Sequence, residues 1–146
     1  MRVIVTTVDK ASVSIKGKII SSIGRGICML VGFTDGDDKE VVSNMVDKIL
    51  GLRIFPDDHG MINISLQDIN GDIMSVSQFT LYADVSHGRR PSFINAMKPH
   101  DAEPLYDYFN NQLKEKSGKQ ISTGIFGADM KVELLNDGPF SVELRS

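Results

Sequence analysis

The stretch ICMLVGFTDGDDKEVVSNMVDKIL, residues 27–50, decides the fold class because the spacing of its apolar residues changes half-way. Residues 27–33 are almost wholly apolar, which is typical of a β-strand in the centre of a sheet. Further along, apolar residues recur at every fourth position in two adjacent rows: Val41, Met45 and Ile49, and Val42, Val46 and Leu50. That spacing predicts an amphipathic helix. A strand followed by a helix indicates a domain that mixes both kinds of structure.

Capping residues predict where this first helix begins and ends. Asp37, with Glu40 three residues later, resembles a capping box in which aspartate takes the serine role. Gly51 suits the far end, because glycine readily adopts the backbone conformation that terminates a helix.

A second helix is predicted over residues 101–116. Asp101 is its expected N-cap, and Pro104 would lie in the first turn, where the missing N–H of proline is tolerated. Gly118 fits the position just after the helix. The buried stripe of this helix would consist of Leu105, Phe109 and Leu113.

Strands are predicted on both sides of each helix. The start of the chain alternates apolar and polar residues, and KGK at 16–18 is a turn. Asn70-Gly71 predicts a hairpin between the short strand MINISL and residues 74–84. A last hairpin is expected around NDGP, residues 136–139. The whole chain, 1–146, is therefore predicted to be one compact α+β domain with a mainly antiparallel or mixed sheet.

Composition points to an ordinary globular protein of the cytoplasm. Hydrophobic residues make up 41% and charged residues 24% of the chain, and the net charge is −3. The sequence contains neither an apolar run of membrane-spanning length nor a secretory signal pattern, so no membrane partner is expected. The single cysteine, Cys28, cannot form an intramolecular disulfide. Six of the basic residues cluster between positions 87 and 119, and this modest basic face could meet a polyanion locally or simply be solvated.

The stretch MSVSQFTLYAD, residues 74–84, breaks the alternation expected of a half-buried strand. Met74 and Val76 are apolar at even positions, whereas Phe79 and Leu81 are apolar at odd ones. The change falls at Ser77-Gln78. One interpretation is a β-bulge that directs polar groups into a pocket and frees backbone N–H groups. The other is a bulge on an edge strand whose polar side faces water.

Two further stretches have a functional and a structural interpretation. Gly138-Pro139 in NDGPF could expose a rigid pair of carbonyl groups if the bond is cis, or could be a simple turn, and sequence does not fix the isomer. Phe126 in TGIFGADM, residues 123–130, could stack on a base or could anchor the core. Metal chemistry is not expected, because the three histidines have no ligand spacing. No phosphate-binding glycine loop or nucleophile elbow is present either.

Taken together, four stretches resemble the D-aminoacyl-tRNA deacylase family: SVSQFTLYAD at 75–84, GRRPSF at 88–93, TGIFGADM at 123–130 and NDGPFS at 136–141. The resemblance runs nearly end to end. It implies a barrel-like α+β fold, a homodimer with two sites at its interface, and no cofactor or metal. The implied activity is hydrolysis of the ester between a D-amino acid, or a wrongly attached glycine, and the terminal adenosine of tRNA.

The resemblance also implies roles for individual residues. Ser77, Gln78, Phe79 and Thr80 would line one wall of the site. Gly138-Pro139, in cis, would enter from the partner subunit and exclude L-amino acids. The terminal adenosine would be held by Phe126 and Met130, with Ala102 nearby. Thr80 has been proposed in the family as a nucleophile, but no base lies beside it in sequence, so a positioning role is preferred.

Two departures from the family and two rival functions accompany this interpretation. Thr6-Thr7 stands where the family usually has Gln-Arg, which leaves the rigidity of the Gly-Pro turn in question, and Ser141 replaces a threonine.

The first rival function is a non-catalytic homodimeric binder of small metabolites or RNA ends. The second is a different hydrolase that uses Cys28 as its nucleophile.

Overall fold

A computed structural model describes all 146 residues and contains eight strands and two α-helices. In chain order these are β1 (Arg2–Ile15), β2 (Lys18–Ile23), β3 (Gly26–Gly32), α1 (Lys39–Leu50), β4 (Arg53–Pro56), β5 (Ile62–Ser65), β6 (Asp72–Ser77), α2 (Pro99–Ser117), β7 (Ile121–Thr123) and β8 (Lys131–Arg145). The predicted α+β class with two helices is confirmed. Neither helix combines the length and the apolar composition that crossing a bilayer requires.

The main sheet is mixed and nearly closes on itself. Its strand order is β2-β1-β3-β6-β7, and β8 runs antiparallel to β1 along its length. β6 is parallel to both β3 and β7, whereas β1 is antiparallel to β2, β3 and β8. Hydrogen bonds join the two ends of this order, from Ser21 Oγ to the Thr123 carbonyl at 2.7 Å and from Ser122 Oγ to the Ser22 carbonyl at 3.4 Å. The sheet is therefore barrel-like, as predicted.

Strand β3 is buried on both faces, which explains its unbroken apolar sequence. Ile27, Met29 and Val31 belong to a core cluster of 20 buried residues that includes the buried faces of both helices. Cys28 belongs to a second cluster of seven residues on the opposite face of the strand. A strand covered on both sides reads as a continuous hydrophobic run, so the prediction of a central strand is confirmed.

The N-cap of the first helix lies one residue later than predicted. Asp38, not Asp37, is the N-cap, and its Oδ1 accepts a hydrogen bond from the Val41 N–H at 2.9 Å. Asp37 is occupied elsewhere, because its carboxylate accepts from the Thr34 N–H and from the amino group of Met1. Gly51 ends the helix as predicted.

The second helix begins two residues earlier than predicted. Pro99 occupies its first turn and Lys98 is the N-cap, so Asp101 is not the cap. Proline is favoured at the first helical position because its fixed φ is already helical. Pro104 consequently lies inside the helix, past the first turn. Gly118 follows the helix with a φ of +68°, which confirms the predicted end.

Both predicted hairpins beyond the first helix are wrong. Residues after Asn70-Gly71 do not pair with β5, because β5 pairs with β4 and β6 pairs with β3 instead. The segment around NDGP does not reverse either: β8 is one strand whose whole length follows β1. Long-range pairing with β3 and β1 outweighs the local turn preference in each case. The turn at Lys16-Gly17 is confirmed, with both residues at positive φ.

Candidate active site at the end of β6

The break in alternation at Ser77-Gln78 marks the end of a strand. β6 stops at Ser77, and the Gln78 N–H makes the last bond to β3, donating to the Val31 carbonyl at 2.7 Å. A single turn of 3-10 helix, Phe79–Tyr82, follows at once. The prediction of a β-bulge is therefore wrong, because the chain leaves the sheet instead of continuing with one extra residue. The expectation that backbone N–H groups become free at this point still applies to the start of the turn.

The first N–H groups of this 3-10 turn have no partner within it. Two bonds of the turn are donated by the N–H of Leu81 to the Gln78 carbonyl, at 3.3 Å, and by the N–H of Ala83 to the Thr80 carbonyl, at 3.0 Å. A 3-10 turn leaves the N–H groups at its own start unpaired, here those of Phe79 and Thr80. Two adjacent backbone donors thus lie on an exposed turn, and both residues are exposed.

The side chains of this turn add polar groups beside those donors. The amide of Gln78 donates a hydrogen bond to Thr80 Oγ1. No carboxylate or imidazole bonds to the Thr80 hydroxyl, so the site contains no base that would deprotonate it. The arrangement can polarise a carbonyl group and orient a bound molecule, whereas side-chain nucleophilic attack has no support from neighbouring groups.

Arg2 holds the far end of the turn, a role that sequence patterns did not reveal. Its Nη1 donates to the Leu81 carbonyl at 2.9 Å, and its guanidinium lies 4.7 Å from the ring centroid of Tyr82. Burial, together with the nearby carboxylate of Asp37, raises the pKa of Tyr82 to about 12. The phenol is therefore neutral and acts as a packing surface for Arg2.

The loop after the turn brings positive charge to the same region. The backbones of Asp84 and Ser92 exchange two hydrogen bonds, at 2.8 and 2.9 Å, and Phe93 packs edge-on against Phe79 with 5.1 Å between ring centroids. These contacts hold the loop tip beside the turn. Arg89 and Arg90 on that tip are exposed and form no ion pair within the chain.

Helix α2 connects the predicted adenosine residues to β6. Phe126 is half-buried and packs against the large core cluster that contains Ala102, and its ring centroid lies 5.9 Å from that of Tyr106. The Tyr106 hydroxyl donates to the Ser75 carbonyl at 2.8 Å, two residues before the end of β6. The fold therefore brings Phe126 and Ala102 to the side of the sheet on which Tyr106 bonds to Ser75, near the end of β6.

Met130 packs in a different place from Phe126. Its side chain contacts the second, seven-residue core cluster, and a Cβ added to Gly124 would overlap the Met130 sulfur. Gly124 therefore leaves the room that the Met130 side chain occupies. The role of Phe126, Met130 and Ala102 in holding an adenosine stays a prediction.

Gly138-Pro139 lies on β8, away from the Ser77–Thr80 wall of the same chain. The bond is cis, both residues are exposed, and Gly138 has a φ of +122°. A Cβ at Gly138 would lie 3.0 Å from the Phe140 nitrogen. Strands β1 and β3 separate β8 from β6 by about 14 Å at the usual strand spacing. The register also places Thr7, beside this segment, in line with Ile73 and not with Ser77.

Neither metal ligands nor a reactive thiol is assembled near these residues. The fold brings no three His, Cys, Asp or Glu side chains together as a metal-binding group. Cys28 is buried in the seven-residue cluster, and that burial raises the pKa of its thiol to about 11. A thiol that is neutral and inaccessible at neutral pH is a poor nucleophile, which counts against the hydrolase that would use Cys28.

Comparison with known sequences assigns the chain to a family. Residues 4–145 match the sequence model of D-Tyr-tRNA(Tyr) deacylase. The chain belongs to the D-Tyr-tRNA(Tyr) deacylase family. It is 50% identical over 144 residues to a D-aminoacyl-tRNA deacylase of Lactobacillus acidophilus, with 99% of both chains covered. It is 49% identical over 146 residues to a D-aminoacyl-tRNA deacylase of Brevibacillus brevis, with 100% of both chains covered. The resemblance noted in the sequence is thereby confirmed.

Solved structures of similar chains share the fold of this deacylase-family member. One, described as a c-Myc DNA unwinding element binding protein, superimposes with a TM-score of 0.94 at 42% identity and covers 100% of this chain and 99% of its own. Another, described as a probable eukaryotic D-amino acid tRNA deacylase, gives a TM-score of 0.85 at 22% identity, covering 98% of this chain and 97% of its own. The second comparison bears on the fold alone.

Proposed function

We propose that this chain hydrolyses the ester bond between a D-amino acid, or a mischarged glycine, and the terminal adenosine of tRNA, and that it rejects L-aminoacyl esters. Membership of the deacylase family supports the reaction type. The observation that carries the proposal is the pair of backbone N–H groups at Phe79 and Thr80, which lack partners within their turn. Such a pair suits an ester carbonyl oxygen that gains negative charge during hydrolysis.

The reaction needs little from the protein's side chains. Water adds to the ester carbonyl carbon, the N–H groups of Phe79 and Thr80 stabilise the developing oxyanion, and the bond to the ribose oxygen then breaks. The neighbouring ribose hydroxyl of the substrate lies close enough to relay the proton to the leaving oxygen. Gln78 and Thr80, joined by a hydrogen bond, orient the ester. Such a reaction explains why the site contains no side-chain nucleophile with an adjacent general base.

The selector against L-amino acids would come from a second copy of the chain. Gly138-Pro139 is exposed and about 14 Å along the sheet from its own β6, so it does not reach its own Ser77–Thr80 wall. Inserted into the partner's site, its two carbonyl oxygens would accept hydrogen bonds from the substrate α-ammonium. They would also occupy the space that an L side chain needs, whereas a D side chain would point to solvent.

The remaining contacts would hold the end of the tRNA. Phe126 is half-buried, so part of its ring is available to stack on the terminal adenine. Met130, which packs against the other core cluster, and the buried Ala102 are assigned to the same pocket by the family resemblance alone. Arg89 and Arg90 form no ion pair and lie beside the turn, where they can neutralise phosphates of the acceptor strand. The partner is accordingly the acceptor end of an aminoacyl-tRNA.

The decisive experiment compares three charged tRNAs. We expect the chain to release tyrosine from D-tyrosyl-tRNA and glycine from a mischarged glycyl-tRNA, and to spare L-tyrosyl-tRNA. Light scattering on the same preparation should give twice the mass of one chain. Failure to clear the D ester, or equal clearance of both tyrosyl esters, would refute the proposal. Tight binding of the tRNA end without turnover would instead favour the non-catalytic homodimeric binder.

A further inference from the structure

Two adjacent threonines of β1 are buried beside the Gly138-Pro139 segment. Thr6 and Thr7 are only 8% and 3% exposed, and Ser75 is the one other polar residue that is buried. Buried hydroxyl groups need hydrogen-bond partners, since an unpaired one is costly. Both hydroxyls find theirs on β8, on either side of Gly138-Pro139.

The partners of the two hydroxyls bracket the segment. Thr7 Oγ1 donates to the Asp137 carbonyl at 2.8 Å, immediately before Gly138. Thr6 Oγ1 and Ser141 Oγ share a hydrogen bond of 2.9 Å, two residues after Pro139. One hydroxyl therefore fixes the start of the segment and the other fixes its end.

These bonds lie where the backbone ladder is interrupted. The pairing of β1 with β8 passes from Thr6–Ser141 directly to Val8–Asn136, so residues 137–140 have no opposite partner on β1. Within the segment, Asn136 Oδ1 accepts from the Phe140 N–H at 3.1 Å and closes the loop on itself. On both flanks of the 137–140 segment, side-chain hydrogen bonds thus take the place of the missing backbone hydrogen bonds between β1 and β8.

We propose that Thr7, assisted by Thr6, is a positioning residue that sets the direction of the Gly138 and Pro139 carbonyl groups and thereby the discrimination between D and L esters. This inference rests on the proposed function, because it assumes that these carbonyls contact substrate. Neither threonine touches the substrate. Each acts by holding the residues that flank the selector.

The test uses Thr7→Val, which keeps the shape of the side chain and removes its hydroxyl, and Thr7→Ser, which keeps the hydroxyl. We expect Thr7→Val to lower the ratio of kcat/KM for D-tyrosyl-tRNA to that for L-tyrosyl-tRNA by about tenfold, as loss of a buried hydrogen bond implies. Thr7→Ser should retain the ratio. Ser117→Ala removes a similar hydroxyl-to-carbonyl bond at the end of α2 and should leave the ratio unchanged.

A second measurement does not depend on turnover. Amide hydrogen exchange of Phe140 reports the closure of the segment, because that N–H is bonded to Asn136. We expect exchange about tenfold faster in Thr7→Val than in the wild type, and unchanged in Thr7→Ser. If the wild type fails to clear the D ester, the proposed function is wrong. The exchange measurement still tests whether Thr7 holds the segment around Gly138 and Pro139 in place. If the wild type discriminates but Thr7→Val keeps both its ratio and its exchange rate, the positioning role is wrong.

Discussion

The hydroxyl of Tyr106 lies 2.8 Å from the carbonyl oxygen of Ser75 and 3.3 Å from the Ser75 hydroxyl, so one residue of α2 is bonded twice to β6. Both residues are buried. The bonds are made two residues before β6 ends, and they fix the helix against the strand that leads into the Phe79–Tyr82 turn. Burial raises the pKa of Tyr106, so its phenol keeps the proton that it donates.

Replacing Tyr106 with phenylalanine should lower the free energy of unfolding by about 1–3 kcal/mol, because the Ser75 oxygens would lose a partner in a buried place. Urea unfolding measures this change. Tyr108→Phe is a matched control, since the Tyr108 hydroxyl is only half-buried and bonds to Ser43 Oγ at 3.1 Å. Equal losses for the two variants would contradict a special role for the Tyr106–Ser75 bonds.

Gly138→Ala should reduce the deacylation rate by about tenfold or more. Alanine is strained at a φ of +122°, and its Cβ would lie 3.0 Å from the Phe140 nitrogen, so the proposed selector must shift. Gly36→Ala provides the comparison, because Gly36 has a φ of +94° but open space around it. That control should lose some stability and keep its activity. A fully active Gly138→Ala enzyme would argue against the selector.

Thr80→Ala should slow the release of D-tyrosine by about tenfold without abolishing it, because a positioned hydroxyl without a base contributes orientation and not covalent attack. Thr80→Ser should remain close to the wild type. Single-turnover kinetics with saturating enzyme separate the chemical step from binding. Complete loss of turnover with substrate binding intact would show that Thr80 is the nucleophile.

Replacing both Arg89 and Arg90 with glutamine should weaken binding of D-tyrosyl-tRNA and make it less sensitive to salt. Each lost phosphate contact lowers the slope of log affinity against log salt concentration by about one. Hydrolysis of D-tyrosyl-adenosine, which lacks the acceptor strand, should be unaffected. The double variant Lys16→Gln/Lys18→Gln removes the same charge at the opposite end of β1 from Arg2, the residue that bonds the turn. An equal effect from that control would indicate general attraction instead of a local contact.

Cys28→Ala should retain deacylase activity, since the thiol is buried and neutral. Burial raises the pKa of this thiol from its ordinary value of 9.0 to about 11 in the folded chain. The folded state therefore keeps a proton that the unfolded state releases, and wild-type stability should fall between pH 9 and about 11. The variant should show a smaller fall, because it lacks this group. Urea midpoints of the wild type and of Cys28→Ala, measured across that pH range, would reveal the difference. Identical pH profiles for the two proteins would refute the raised pKa of the Cys28 thiol.

Sequence patterns predicted the parts of the fold that depend on local chemistry. The apolar run at 27–33, the helix row beginning at Val41 and the helix-ending Gly51 were all correct, because the spacing of apolar residues and a helix-ending glycine act within a few residues. The predicted N-caps Asp37 and Asp101 were wrong, and Asp37 is bound by the distant amino group of Met1. The hairpins at 70–71 and 136–139 were wrong, because the partner of a strand is chosen elsewhere in the chain. A turn-forming sequence alone does not decide between a hairpin and a bulged, continuous strand.

The same distinction applies to the candidate site. The grouping of Ser77 to Thr80 could be predicted because these residues are contiguous. The supports of the site could not, since Arg2 and Leu81 are 79 residues apart and Ser75 and Tyr106 are 31 apart. Sequence also left the rigidity of the Gly138-Pro139 segment in question because Thr6-Thr7 replaces the usual Gln-Arg. The hydroxyls of Thr6 and Thr7 bond to residues 135 and 130 positions away, which no pattern of residue types reveals.

The two strands that separate Gly138 from Ser77 have a genetic consequence. On the proposed arrangement, one gene encodes both halves of a cleft that no single molecule can complete. A substitution in either half then impairs both clefts of a homodimer in which both chains carry it. Mixing a copy altered at Gly138 with a copy altered at Thr80 would leave one cleft with two defects and the other with none, so two alleles of reduced activity should complement each other.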